Sequence, residues 1–147
     1  MTQTSHDPNA AFDPRRFMDY VGKVGHGGAL GIAYLDHGAD WVELALPYKA
    51  ELIGMPDSGI LASGPIFSLM DMATSLAIWT RRGYFQAQAT LDLRIDYLRP
   101  ATPGQPVVGR GECYGITRSV AFVRGHAHDG DPDDPIAHVS GTFMVTA

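Results

Sequence analysis

The stretch LASGPIFSLMDMATSLAIWT, residues 61–80, decides the fold. On a helical wheel over residues 65–80, apolar side chains cover nearly the whole circumference, which is typical of a helix buried on all sides. The exception is a narrow stripe of Ser68, Asp71 and Ser75, whose spacing of i, i+3 and i+7 stacks the three side chains along one line. The sequence therefore predicts one long buried helix that carries a single carboxylate.

Asp71 is the one charged residue of this helix before Arg81. A buried carboxylate either finds hydrogen-bond donors or its pKa rises, and a carboxyl group with a pKa near neutrality suits general-base catalysis. The alternative is a structural role, in which Asp71 is hydrogen-bonded to a neighbouring strand or across a dimer interface. The pattern of residues leaves both interpretations open.

The residues before this helix suit a helix start, with Gly64 as the N-cap, Pro65 at the first helical position and Ser63 just before. Free backbone N–H groups at the positive end of the helix dipole can hold an oxygen that becomes negative. The alternative is plain capping. Asp71 lies about 10 Å further along the axis, so only a substrate carbonyl together with a water or other attacking group would bridge the gap.

The chain outside this helix is predicted to form mainly strands. The predicted elements are a short helix from Phe12, a hairpin over residues 29–47, and strands over residues 90–100, within 107–129 (two) and over 136–146. In the strand over 90–100, four apolar residues alternate with charged ones and are predicted to share one face. They are Leu91, Leu93, Ile95 and Tyr97.

A strand with one polar face belongs to an antiparallel sheet, and a single buried helix among such strands requires the sheet to curl around it. The sequence therefore predicts an α+β fold, with a curved antiparallel sheet of about six strands wrapped around one long central helix. We expect residues 11–147 to form this single domain and residues 1–10 to be a loose tail.

Composition excludes several classes of protein. With 147 residues, of which 45% are hydrophobic and 18% charged, the chain is a globular protein of one domain. A net charge of −5 argues against nonspecific nucleic-acid binding, which needs a basic surface. The N-terminus lacks a signal peptide's apolar core, and the longest apolar stretch is too short to cross a membrane. We therefore expect a cytoplasmic protein with no membrane association.

The cysteine and the histidines do not suggest a metal site. Cys113, the single cysteine, is predicted to be a core residue. His126 and His128 share a strand face, but without a third ligand they are predicted to be a surface pair. The segment His26-Gly27-Gly28 precedes the first strand and is predicted to lie in a loop.

From Leu30 to Val145 the chain resembles the hotdog-fold acyl-CoA thioesterases of the PaaI type. The opening hairpin resembles that of the family, and SGPIFSLMDMA (63–73) resembles the start of its central helix. The segment ATLDLRIDYLRPATPGQPV (89–107), with its Tyr-x-x-Pro-Ala, resembles the strand and turn that follow. The resemblance implies the hotdog fold and thioester hydrolysis.

The family's motif before the helix is His-Gly-Gly, with the catalytic acid nine positions after the histidine. Here Asp71 matches the acid and Gly64 the second glycine, whereas Ala62 and Ser63 replace the histidine and the first glycine. The family often carries an asparagine near the position of Pro56, which is also absent.

By this resemblance, Asp71 is the general base or nucleophile of an acyl-CoA thioesterase. The resemblance places the oxyanion hole at the amide of Gly64 with that of Ser63, and Thr90 where a hydroxyl holds the water. It also makes Arg118 and Arg99 candidates for binding the phosphates of coenzyme A. No cofactor is expected, since coenzyme A is part of the substrate, and no metal is needed.

Two further functions remain open from the sequence. The missing histidine and asparagine favour a hotdog protein that binds an acyl-CoA without cleaving it. A hydratase or dehydratase would pair the acid with a histidine near the helix start, and no histidine lies between His37 and His126. Because open sheet edges are usually paired, we expect a homodimer or homotetramer in which Asp71 lies near the helix start of the partner subunit.

Overall fold

The computed structural model of the chain describes residues 10–146. The helices are α1 (Pro14–Val21), α2 (Gly25–Leu30) and α3 (Ser63–Arg82), and a 3-10 turn covers Ala50–Leu52. The strands are β1 (Ala33–His37), β2 (Trp41–Leu46), β3 (Ile53–Met55), β4 (Ile60–Leu61), β5 (Gln88–Tyr97), β6 (Val107–Ile116), β7 (Val120–His128) and β8 (Ala137–Val145). The tail predicted over residues 1–10 lies, except for Ala10, outside the described residues.

Six strands form one antiparallel sheet in the order β1-β2-β6-β7-β8-β5, and β3 pairs with β4 in a separate two-stranded ribbon. The sheet wraps around α3, so the predicted α+β hotdog architecture is confirmed. Strand β5 forms one edge of the sheet, although it follows α3 directly in sequence. The ribbon and the 3-10 turn lie in the segment between β2 and α3.

The central helix lies directly on the sheet. Its inward side chains are fully buried, and Leu69, Met70 and Leu76 are 0% exposed. At Gly111 of β6, an added Cβ would lie 2.6 Å from the backbone of Ala73, so only glycine allows this approach. Cys113 is buried in the same core, as predicted. Between residues 10 and 146, no helix has both the length and the apolar content needed to cross a lipid bilayer.

Helix α3 begins two residues earlier than the sequence predicted. Its N-cap is Ala62, and Ser63, Gly64 and Pro65 form the first turn, so the prediction of Gly64 as N-cap is wrong. The reason is that the short ribbon ends immediately before it, and the Ala62 N–H donates to the carbonyl oxygen of Leu52. The helix ends at Gly83, whose φ of 83° is left-handed.

Strand β5 contains a β-bulge that the alternating pattern did not predict. Its pairing with β8 passes from Thr90 opposite Phe143 to Asp92 opposite Thr142, so Leu91 is an extra residue. Leu91 is 56% exposed and lies off the inward face of Leu93, so the prediction that the two residues share one face is wrong. Thr90 takes the inward orientation instead.

The N-terminal segment covers the outer side of α3. Asp13 caps α1, because its side chain accepts a hydrogen bond from the Arg15 N–H. Phe12 and Phe17 pack against Trp79 of α3, with ring centroids 5.6 and 5.2 Å from the indole. The loop predicted at residues 26–28 is wrong, because these residues form part of the short helix α2.

Candidate active site

The half-buried Asp71 side chain points toward β5. Its Oδ1 accepts a hydrogen bond of 2.9 Å from the Thr90 hydroxyl. The bulge at Leu91 produces this contact, since regular alternation would turn Leu91 inward and Thr90 outward. Within the described part of the chain, no hydrogen-bond donor reaches the second carboxylate oxygen. One oxygen is therefore held in place and the other is free to meet a reactant.

A second contact fixes β5 along the same side of α3. The side-chain amide of Gln88 donates to the carbonyl oxygen of Ser75 at 3.0 Å. Ser75 lies one turn after Asp71, and Gln88 two residues before Thr90. The polar stripe predicted from the sequence therefore faces the edge strand of the sheet.

The start of α3 offers two backbone donors. The first N–H groups of a helix have no intrahelical partner. Here Pro65 has no N–H group, and the N–H of Ala62 donates to the carbonyl oxygen of Leu52. The N–H groups of Ser63 and Gly64 remain, and no side chain among residues 10–146 caps this turn. Space beside Gly64 is open, since a Cβ added there would meet no atom within 4 Å. Two amides at the positive end of a long helix suit a developing oxyanion.

Tyr97 holds this helix start in place, a role that the sequence did not suggest. Its hydroxyl donates to the carbonyl oxygen of Ser63 at 3.1 Å, and burial raises the pKa of the Tyr97 hydroxyl. The only signal in the sequence was its place at the end of an alternating strand.

Beside Tyr97 lies an open groove of about 440 Å³. Most of its lining is apolar, and these residues are Ile60, Leu61, Ile66, Leu98, Ala101 and Ile136. The sequence did not reveal this groove, since its walls come from three separate segments, residues 60–66, 97–101 and Ile136.

The carboxylate and the free amides do not meet within one chain. Gly64 precedes Asp71 by seven residues of the same helix, which places them about 10 Å apart along the axis. The groove reaches Ser63 and Tyr97 but not Asp71. Each chain thus presents two candidate half-sites, one at the middle of α3 and one at its start.

The two arginines predicted to bind phosphate have different surroundings. All the N–H groups of Arg99 are used, in a bidentate ion pair with Asp129 and in bonds to Asp134 and the carbonyl oxygen of Pro100. This pairing raises the pKa of Arg99 and holds that of Asp129 well below its usual range. Arg99 therefore cross-links these segments, and its role in phosphate binding stays a prediction.

Arg118 is exposed in the turn between β6 and β7. This turn is tied to the far end of α3, because Arg82 donates to the carbonyl oxygen of Thr117 at 3.5 Å. Among the ion pairs of the described residues, none involves Arg118. Its guanidinium is therefore accessible to a ligand.

A histidine also reaches the polar stripe of α3. His26 Nε2 is 2.8 Å from the Ser68 hydroxyl oxygen, across 42 residues of sequence. Helix α2 approaches α3 closely here, because a Cβ added at Gly27 would lie 2.9 Å from Met72 Cε. The stripe was predicted from the sequence, whereas its contact with His26 was not.

His126 and His128 lie away from this stripe, on β7. His126 and His128 stack on β7 with ring centroids 5.9 Å apart, and burial, followed by the charge of His128, lowers the pKa of His126. Over residues 10–146, no three side chains of the metal-binding types cluster closely enough to hold an ion.

Comparison with known proteins agrees with this architecture. The sequence model of the thioesterase superfamily matches residues 58–136, which include all of α3 and β5. The medium/long-chain acyl-CoA thioesterase YigI of Escherichia coli K12 is 30% identical, over 80% of this chain and 83% of YigI.

Solved structures of similar proteins also match this chain over most of its length. A Pseudomonas aeruginosa protein is 41% identical with a TM-score of 0.77, covering 88% of this chain and 94% of its own. The phenylacetic acid degradation protein PaaI of Thermus thermophilus is 26% identical with a TM-score of 0.68, covering 88% and 97% of the two chains. The chain therefore belongs to the thioesterase superfamily, as a PaaI-like thioester hydrolase with the hotdog fold.

Proposed function

We propose that the thioester cleaved by this enzyme is an acyl-CoA, with Asp71 as general base or nucleophile and the Ser63 and Gly64 amides as the oxyanion hole. The observation that carries this proposal is the Asp71 carboxylate, held at one oxygen by Thr90 and free at the other. The similarity to YigI, named as an acyl-CoA thioesterase, supports the substrate class.

As a base, Asp71 removes a proton from water while the water oxygen forms a bond to the thioester carbon. The carbonyl oxygen becomes negative and accepts hydrogen bonds from the two amides at a helix start. Collapse of this intermediate breaks the carbon–sulfur bond, and the coenzyme A thiolate leaves with the proton from Asp71. As a nucleophile, Asp71 would instead form an anhydride that water then cleaves.

We place each complete site between two subunits. The half-sites of one chain lie about 10 Å apart, which is too far for a single tetrahedral intermediate. Edge strand β5 exposes Leu91 and Tyr97, 56% and 46% respectively, and an exposed edge strand is suited to pairing with a second copy. A twofold dimer through β5 would bring Asp71 near Gly64 of the partner subunit.

Subunit mixing tests this arrangement. Two inactive variants, Asp71→Asn and Gly64→Pro, are refolded together. A site shared between subunits predicts recovery of about a quarter of wild-type activity, because half of the dimers then hold one intact site. No recovery, or a monomer by light scattering, would place the whole site within one chain.

Arg118 is proposed to bind the phosphates of coenzyme A. The pantetheine arm separates these phosphates from the thioester, and the Arg118 turn lies near the end of α3, far from Asp71. Arg118→Ala should raise KM for an acyl-CoA but not for the same acyl group on N-acetylcysteamine, which lacks phosphates. Arg16→Ala, on exposed α1, is the matched control. An equal rise in KM for both substrates would contradict the assignment.

The apolar groove beside Ser63 is proposed to hold the acyl chain. Its lining suits an aliphatic group and includes Ser63, one of the proposed oxyanion donors. Ala101→Leu narrows the groove and should shift the preferred substrate toward shorter acyl chains. An unchanged chain-length profile in a folded variant would place the acyl group elsewhere.

The main test is turnover of a panel of acyl-CoAs, from acetyl to palmitoyl and including an aromatic acyl group, followed with a thiol-detecting dye. Isothermal titration with a non-hydrolysable acyl-CoA analogue measures binding separately. Turnover that is lost in Asp71→Asn while binding remains supports the proposal. Binding without turnover in the wild type would instead identify an acyl-CoA-binding protein.

A further inference from the structure

We infer that His26 is a positioning residue for hydrolysis, acting through Ser68 on the space beside Asp71. The inference rests on the proposed function of Asp71. Its starting point is the 2.8 Å contact between His26 Nε2 and the Ser68 hydroxyl oxygen.

Ser68 lies between the two half-sites. It follows Gly64 by four residues and precedes Asp71 by three, and residues at these spacings are neighbours on a helix surface, with Cβ atoms about 5–6 Å apart. The Ser68 hydroxyl is thus close enough to Asp71 for one water molecule to contact both.

Helix α2 brings the imidazole to this place. Gly25 has a left-handed φ of 58°, which allows the chain to turn into α2. Gly27 permits the close approach to Met72, while His26 itself stays exposed. The stripe of α3 therefore has β5 with Thr90 on one side and α2 with His26 on the other.

The chemistry of the pair explains its proposed effect. A serine hydroxyl rotates freely unless a partner fixes it, and His26 takes up one of its hydrogen-bonding directions. The remaining directions then point to a fixed place beside Asp71. An attacking water that is hydrogen-bonded to both Asp71 and Ser68 would have its position and orientation fixed. One of its lone pairs would then point to the thioester carbon. His26 does not itself touch the reacting atoms.

The test compares His26→Ala, Ser68→Ala and the double variant on the best acyl-CoA of the panel. Loss of one positioning hydrogen bond should lower kcat about tenfold in each single variant, with KM unchanged within about twofold. Because His26 acts through Ser68, the double variant should lose no more than Ser68→Ala alone. His26→Gln, which keeps a hydrogen-bonding amide, should recover most of kcat. Ala29→Ser, an exposed change on the same helix, is the matched control.

Thermal unfolding of each variant separates positioning from folding. A lower melting temperature with unchanged kcat in His26→Ala would overturn the inference in favour of a purely structural contact. Additive losses in the double variant, or an acyl group trapped covalently on Ser68, would also overturn it. Wild-type protein inactive on every acyl-CoA would overturn both this inference and the proposed substrate. An active wild type with inactive Asp71→Asn and unaffected His26→Ala would overturn this inference alone. If His26→Ala does not fold, kcat of His26→Gln tests the inference instead. A folded His26→Gln variant with near wild-type kcat would support it, and one with a tenfold lower kcat would overturn it.

Discussion

The middle and the start of α3 are built from different groups. At the middle, two side chains meet, the Asp71 carboxylate and the Thr90 hydroxyl of β5. At the start, the chemical groups are backbone amides of Ser63 and Gly64, held by Tyr97. This determines which substitutions are informative, because the first candidate half-site is lost by changing a side chain and the second only by removing an N–H group.

The largest effect is expected at the middle of the helix. Asp71→Asn keeps the size of the side chain but removes its ability to take a proton or attack, and should lower kcat about a thousandfold. Steady-state turnover of the best acyl-CoA measures this, with thermal unfolding as the folding control. An asparagine variant with more than a tenth of wild-type kcat would remove Asp71 from the mechanism.

The backbone half-site is tested by replacing an N–H group with a proline ring. Gly64→Pro should lower kcat about a hundredfold, as expected for loss of one oxyanion donor. Gly64→Ala is its matched control, since it keeps the N–H and its added Cβ enters open space. Circular dichroism checks that α3 remains helical. Equal losses in the two variants would show that the amide is not the important group.

A smaller loss is expected from Thr90→Val, which removes the hydroxyl and keeps the shape. Losing one charge-assisted hydrogen bond to Asp71 should lower kcat about tenfold. Thr90→Ser, which keeps the hydroxyl, should retain most of the activity. If Thr90→Val turns over as fast as the wild type, Asp71 needs no partner on β5.

The smallest effect on turnover is expected where the Arg99–Asp129 pair supports the segment after Tyr97. Asp129→Asn should lower the free energy of unfolding by about 2 kcal/mol at neutral pH, with little change in kcat. Because the pKa of Asp129 is lowered in the folded state, its stabilisation is present above the unfolded value near 4 and is lost as the pH falls below it. Denaturant unfolding between pH 7 and pH 2 should therefore show wild type and variant converging at acid pH.

Much of the fold could be predicted because its main signal is periodic. The apolar circumference of α3 predicted burial, and one helix among alternating strands predicted the wrapped sheet. Helix boundaries were harder, because the start of α3 depends on a hydrogen bond from Ala62 to Leu52, outside the helix. The shared face of Leu91 and Leu93 was also wrong, since a bulge depends on pairing with β8.

The candidate site could be predicted only in part, because several of its contacts join segments that are distant in sequence. Asp71 was identified from the polar stripe of the helix and Thr90 by resemblance, and the structure brings them into contact. Arg99 matched the charge expected of a phosphate ligand, but Asp129 and Asp134, distant in sequence, already occupy it. The contact between His26 and Ser68 joins two segments that no local pattern connects.

The bulge after Thr90 has a consequence for engineering this enzyme. A regular strand would turn Leu91 toward α3, where removing apolar surface from water stabilises the fold by about 25 cal/mol per Å². The native strand leaves that side chain 56% exposed and turns a hydroxyl inward in its place. Selection for thermal stability alone should therefore favour apolar replacements at position 90. The resulting enzymes would have a higher melting temperature and a lower kcat.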